Sequence, residues 1–88
     1  MTAVVEVSMY PLTENYIPVI DKFLTEIREY EGLNISTNPS STRIQGEYDE
    51  LMDAVTACMK SIYRGSDQVT FVMKVLNTDI TETKWDDC

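Results

Sequence analysis

The sequence predicts an α+β fold of βαββαβ order: one four-stranded antiparallel sheet with two helices on one of its faces. Three observations carry this expectation. Four stretches alternate apolar and polar residues, two longer ones repeat apolar residues at three- and four-residue steps, and these follow one another within 88 residues. A chain of this length has material for one core and not for two.

The first alternating stretch runs from Ala3 to Tyr10, with Val5, Val7 and Met9 pointing one way and Glu6, Ser8 and Tyr10 the other. This is a strand covered on one side, and Pro11, which cannot donate a ladder hydrogen bond, is expected to end it. From Asn15 the period becomes helical: Ile17, Ile20, Phe23, Leu24, Ile27 and Tyr30 form one stripe and Asp21, Lys22, Glu26, Arg28 and Glu29 the other. Asn15 reads as the N-cap, Pro18 falls in the first turn where its missing N–H is not needed, and Gly32 reads as the stop.

Leu33, Ile35 and Thr37 alternate with polar neighbours up to the turn Asn38-Pro39-Ser40, after which Thr42, Ile44 and Gly46 resume the pattern, so these two strands form a hairpin. A second helix starts near Tyr48, with Leu51, Met52, Val55, Met59, Ile62 and Tyr63 inward and Gly65 at its end. The last strand, Gln68 to Leu76, sets Val69, Phe71, Met73 and Val75 against Thr70, Val72 and Lys74. Right-handed crossovers then give the ferredoxin-like sandwich, with strand order 4-1-3-2. The face without helices carries Glu6, Ser8, Tyr10, Asn34, Ser36, Arg43, Gln45, Thr70, Val72 and Lys74. Residues 1–76 are expected to form the domain and residues 77–88 a polar tail, in which Ile80 and Trp85 are the apolar exceptions.

Composition narrows the function. Seven basic residues against fifteen acidic ones give a net charge of −8, which repels nucleic acid backbones and anionic membranes. No apolar run approaches the ~20 residues that span a bilayer and no signal-peptide pattern opens the chain, so a cytoplasmic location is expected. Cys58 and Cys88 lie far apart, outside any CxxC pair, and read as free thiols.

Catalytic signals are sparse. The chain has no histidine, which removes the commonest general base and metal ligand, and no GxSxG elbow appears. Gly32, Gly46 and Gly65 are too scattered to cradle a phosphate. Asp49-Glu50 and Asp86-Asp87 read as solvated or dipole-matching acids, and Glu47 suits the start of the second helix. An RNA-binding sheet needs stacking aromatics where this chain has Glu6, Ser8, Arg43 and Gln45. The turn Tyr10-Pro11-Leu12-Thr13 has neither the Arg and glycines of an acylphosphatase-like loop nor the CxxC of a metallochaperone. A non-enzymatic role without a cofactor is expected.

What remains is a corner. With strands one and three antiparallel neighbours, Ser8, Met9 and Tyr10 should end beside Ser41, Thr42 and the turn at Asn38. Hydroxyls, a carboxamide and an aromatic ring there suit a planar heterocycle, although Ser, Thr and Asn near turns often bond local backbone instead.

At this corner, Val7-Ser8-Met9-Tyr10-Pro11-Leu12 and the later run Ser41-Thr42-Arg43-Ile44-Gln45-Gly46-Glu47-Tyr48-Asp49-Glu50 resemble the thiamine-binding protein family, small ferredoxin-like proteins related to the hydroxymethylpyrimidine/thiamine carrier domain. The two motifs, S-x-Y-P-L and S-T-x-I-x-G-E, sit on either side of a helix, and the similarity covers about residues 3 to 76. The resemblance implies binding of thiamine or its pyrimidine precursor without chemical change, with assembly through the sheets into dimers or tetramers. It favours Ser8, Tyr10 and Thr42 as ligand positions, to which the geometry adds Met9, Asn38 and Ser41. The competing expectation is a structural or regulatory interaction domain whose open sheet face pairs with another subunit, with no small-molecule ligand.

Overall fold

The alternating stretches become strands and the stripes become helices. A computed structural model of the chain describes residues 1–65 and 68–77. Its elements are β1 (Thr2–Pro11), α1 (Ile17–Ile27), β2 (Asn34–Thr37), β3 (Thr42–Glu47), α2 (Tyr48–Gly65) and β4 (Val69–Leu76). The strands form one antiparallel sheet in the order β2-β3-β1-β4, the expected order read from the other edge.

Register fixes which side chains share a face. Val7 is the partner of Thr42, Val5 of Ile44 and Ala3 of Gly46, so these residues line one face together. That face packs under both helices, where Ala3, Val5, Val7 and Ile44 join Phe23 and Ile27 of α1 and Leu51, Ala54, Val55, Cys58 and Ile62 of α2. Phe71 of β4 is met by Phe23 at 5.7 Å between ring centroids and edge-on by Tyr63 at 5.4 Å. The opposite face carries a charged row: Arg43 Nε donates to Glu6 Oε2 at 2.9 Å, and Lys74 Nζ lies 3.8 Å from Glu6 Oε1. Val4 is buried on this second face, between its register partners Gln45 and Leu76.

Several expectations are corrected. The N-cap of α1 is Tyr16 and not Asn15, and no side chain bonds there: the Tyr16 carbonyl accepts the N–H groups of Val19 and Ile20. The helix ends at Ile27 with Arg28 as its C-cap, so Tyr30 lies past it and is exposed. Gly32 instead takes the left-handed φ of +82° that leads the chain into β2. Pro11 ends β1 as expected: it is the last strand residue, paired with Val69, and just past it Leu12 N–H donates to the Gln68 carbonyl. Tyr63 and Val75 are exposed, although the Tyr63 ring still covers Phe71.

β3 passes into α2 without an intervening residue. Asp49 N–H donates to both Glu47 carboxylate oxygens at 3.2 and 3.1 Å, and Tyr48 N–H donates to the Met1 carbonyl. Glu47, Asp49 and Glu50 put negative charge at the helix N-terminus, and Arg64 puts positive charge at its last turn. Among the described residues, no helix is long and apolar enough to cross a membrane. Trp85, Ile80 and Cys88 lie outside the described residues.

Candidate functional site

The hairpin turn is built first by its own sequence. Asn38 N–H donates to the Ser41 carbonyl at 2.9 Å, closing the turn between β2 and β3. Asn38 Oδ1 accepts from Ser40 N–H and Ser41 N–H, both at 2.9 Å, and from the two serine hydroxyls at 3.0 and 3.3 Å. Four donors thus converge on one carboxamide oxygen, the local bonding that Asn and Ser favour at turns. Ser8 Oγ donates to the Ser40 carbonyl at 3.0 Å and ties the turn to β1.

Between this turn and α1 lies a cavity of about 100 Å³. Val7 and Met9 of β1 form its floor, and Ile20 and Leu24 of α1, one turn apart, form its apolar wall. Thr37 and Thr42, directly opposite across the hairpin, supply its polar side with the turn residues Asn38 to Ser41. Neither threonine hydroxyl has a hydrogen-bond partner among the described residues. The Asn38 amide nitrogen is likewise unengaged there, because only its oxygen is used by the turn.

Of the six expected positions, Met9, Asn38, Ser41 and Thr42 meet at this cavity, and Ser8 and Tyr10 do not line it. Alternation explains the division. Thr42 is the register partner of Val7, so it shares a face with Val7 and Met9, while Ser8 and Tyr10 point to the other side of the sheet. Ser8 positions the turn from there, and Tyr10 is exposed beside Val72 and Thr70. Sequence reasoning missed Thr37, whose pairing with Thr42 could have been inferred from the hairpin. It also missed Ile20 and Leu24, which periodicity cannot tell from ordinary core.

Two larger cavities have a different character. One, of about 280 Å³, lies against Glu26, Glu29, Tyr30, Ala57 and Cys58. Burial, followed by Glu26 and Glu29, pushes the Cys58 thiol up to about 11, so at neutral pH it is a protonated packing group and no nucleophile. The other, of about 320 Å³, is lined by Tyr30, Leu33 and the acids Glu31, Glu50 and Asp53. Among the described residues, no three His, Cys, Asp or Glu side chains are grouped to hold a metal ion.

The fold recurs in solved structures. A Streptococcus pneumoniae protein matches with 25% identity and a TM-score of 0.83, over 99% of this chain and 96% of that one. A Thermotoga maritima protein named for thiamine biosynthesis or salvage matches with 19% identity and a TM-score of 0.76, over 99% and 94%. A domain of unknown function from Bacillus cereus matches with 22% identity and a TM-score of 0.78, over 98% and 89%. No curated protein matches the chain. The profile of thiamine-binding proteins spans residues 5–86, nearly the whole sequence, and the chain belongs to the thiamine-binding protein family.

Proposed function

We propose that this chain is a non-catalytic binding protein for thiamine or its hydroxymethylpyrimidine moiety, with residues 1–76 as the binding domain. The observation that carries the reading is the cavity under α1, where two threonine hydroxyls without a partner among the described residues face apolar walls from β1 and α1. A planar aminopyrimidine offers an amino donor and ring-nitrogen acceptors at its edge and an apolar face, which hydroxyls and aliphatic side chains respectively match. Family membership supports the ligand class, as does the naming of the Thermotoga maritima relative.

Size decides how the ligand sits. Drug-sized ligands occupy cavities of roughly 300–1,000 Å³, and an engineered cavity of ~150 Å³ holds one benzene. About 100 Å³ therefore suits one six-membered ring at most, with the rest of thiamine outside the rim. The ring of Met9 and Leu24 side chains can widen by rotamer changes, since both are only partly buried. Ser8 and Tyr10 act in this reading from outside the cavity, Ser8 by holding the turn. The absence of histidine, and a Cys58 thiol held protonated, favour binding without chemical change.

Calorimetric titration of the purified protein with thiamine and with hydroxymethylpyrimidine tests this. Heat and a thermal shift with either compound are expected, and neither signal at millimolar ligand would refute it.

A second reading rests on the sheet face without helices, where Tyr10 and Val72 are 56% and 51% exposed on adjacent strands. Such apolar exposure suits self-association into a dimer or tetramer, with or without a ligand. Light scattering decides between an oligomer and a monomer.

A further inference from the structure

We propose that the cavity selects the unphosphorylated form of its ligand, accepting a neutral or cationic ring and rejecting its phosphate ester; this rests on the binding function proposed above. Three features around the rim lead to it. Phosphate is held in proteins by cationic side chains, by clustered backbone N–H groups or by helix N-termini, and among the described residues the first is missing from the cavity, the second is engaged and the third is partly engaged.

Among the described residues, no Lys or Arg lines the cavity. Arg43, on the neighbouring strand position to Thr42, points to the other sheet face, where its Nε donates to Glu6. Lys22 of α1 reaches the opposite way, with Nζ 3.5 Å from the Ser61 carbonyl of α2.

The turn has the donors an anion would want. The N–H groups and hydroxyls of Ser40 and Ser41 already converge on Asn38 Oδ1, so the nest is filled by the chain's own carboxamide. An entering phosphate oxygen would have to displace four hydrogen bonds.

The N-terminus of α1, the third device, is also blunted. Pro18, at its second position, carries no N–H, and the N–H groups of Val19 and Ile20 both donate to the Tyr16 carbonyl. What the site leaves open are the Thr37 and Thr42 hydroxyls and the Asn38 amide, three neutral groups able to read a ring edge. A phosphate held at the rim therefore gains no charged partner among the described residues, within a molecule of net charge −8 that repels it from a distance.

The test is isothermal titration of the full chain with hydroxymethylpyrimidine and its monophosphate, and with thiamine and thiamine monophosphate, at one ionic strength. The unphosphorylated compound is expected to bind about tenfold more tightly or better within at least one pair, since the phosphate meets no cationic partner at the rim among the described residues and a net charge of −8 opposes it. Equal affinity, or tighter binding of the phosphate, in both pairs would overturn this inference and leave the binding function standing. Absence of binding by all four compounds would overturn the binding function and the inference with it. Ser40→Arg places a cation at the rim, and a discrimination ratio several-fold narrower than in the native chain is the expected result. An unchanged ratio in a variant that still binds the unphosphorylated ligand would count against the missing cation as the cause.

Discussion

Thr37 and Thr42 are direct register partners across the β2–β3 hairpin, and both line the cavity under α1. A pair of hydroxyls on adjacent strands, facing aliphatic side chains, offers hydrogen bonds in a place where few competing groups exist.

Thr42→Val and Thr37→Val are each expected to weaken pyrimidine binding by about two- to tenfold, the loss of one hydrogen bond worth ~0.5–1.5 kcal/mol. Folding stability should change by less than about 0.5 kcal/mol, because neither hydroxyl bonds another described residue in the free protein. Calorimetry alongside a urea titration separates the two effects.

Asn38→Ala removes the oxygen on which four donors converge. All are exposed, so the expected loss is about 1–2 kcal/mol, less than four buried bonds would give. Asn38→Asp keeps an acceptor at the same place and should recover most of it. Urea midpoints of the three proteins, at constant m, make the comparison.

Gly46 lies where a Cβ would sit 2.6 Å from Leu33 Cδ2 and 3.4 Å from the Gly32 carbonyl oxygen. Gly46→Ala is therefore expected to destabilise the fold by about 1–3 kcal/mol through overpacking. Leu33→Ala in the same chain removes the obstructing methyl, so the double variant should be more stable than the sum of the single losses. A double-mutant cycle measures that coupling, expected at ~0.5 kcal/mol or above.

Cys58 predicts a dependence on alkaline pH. Its folded thiol keeps the proton up to about 11, against an ordinary value of 9.0. Below pH 9 both folded and unfolded chains hold the proton and the contribution of the group is complete. Between 9 and 11 the unfolded thiol ionises first, so stability falls as pH rises. The native chain should thus lose urea resistance between pH 9 and about 11 more steeply than Cys58→Ala, and parallel losses would contradict the assignment.

The fold was legible because each period has one meaning. Val5, Val7 and Met9 alternate as only a half-covered strand does, and Phe23, Ile27, Leu51, Val55 and Ile62 recur as only buried helix faces do. The ends were less legible. Asn15 has the chemistry of an N-cap, yet Tyr16 takes the position, because Pro18 suits the first turn one residue later. Tyr30 continues the stripe of α1 on paper, but the helix has already stopped at Ile27.

The site was legible by neighbourhood and not by side. Val7 pairs with Thr42 at the start of β3, so Ser8, Met9 and Tyr10 run past it: Ser8 meets the Ser40 carbonyl, Met9 shares the cavity with Thr42, and Tyr10 pairs with Thr70 of β4. The open face and the corner both claimed Ser8 and Tyr10, and the register assigns them to the open face. The wall formed by Ile20 and Leu24 had no signal of its own, since a residue beside a void and a residue beside a neighbour obey the same periodicity.

The direct passage from Glu47 into Tyr48 has a consequence for how the chain tolerates changes of length. An α-helix advances about 100° per residue, so one added residue at that junction would turn α2 by nearly a third of a revolution relative to β3. Leu51, Val55 and Ile62 would leave the sheet, and Asp53 or Lys60 would swing toward it. Insertions should instead be borne by the connections with slack, residues 12–16 and 28–33, where no such phase relation is kept.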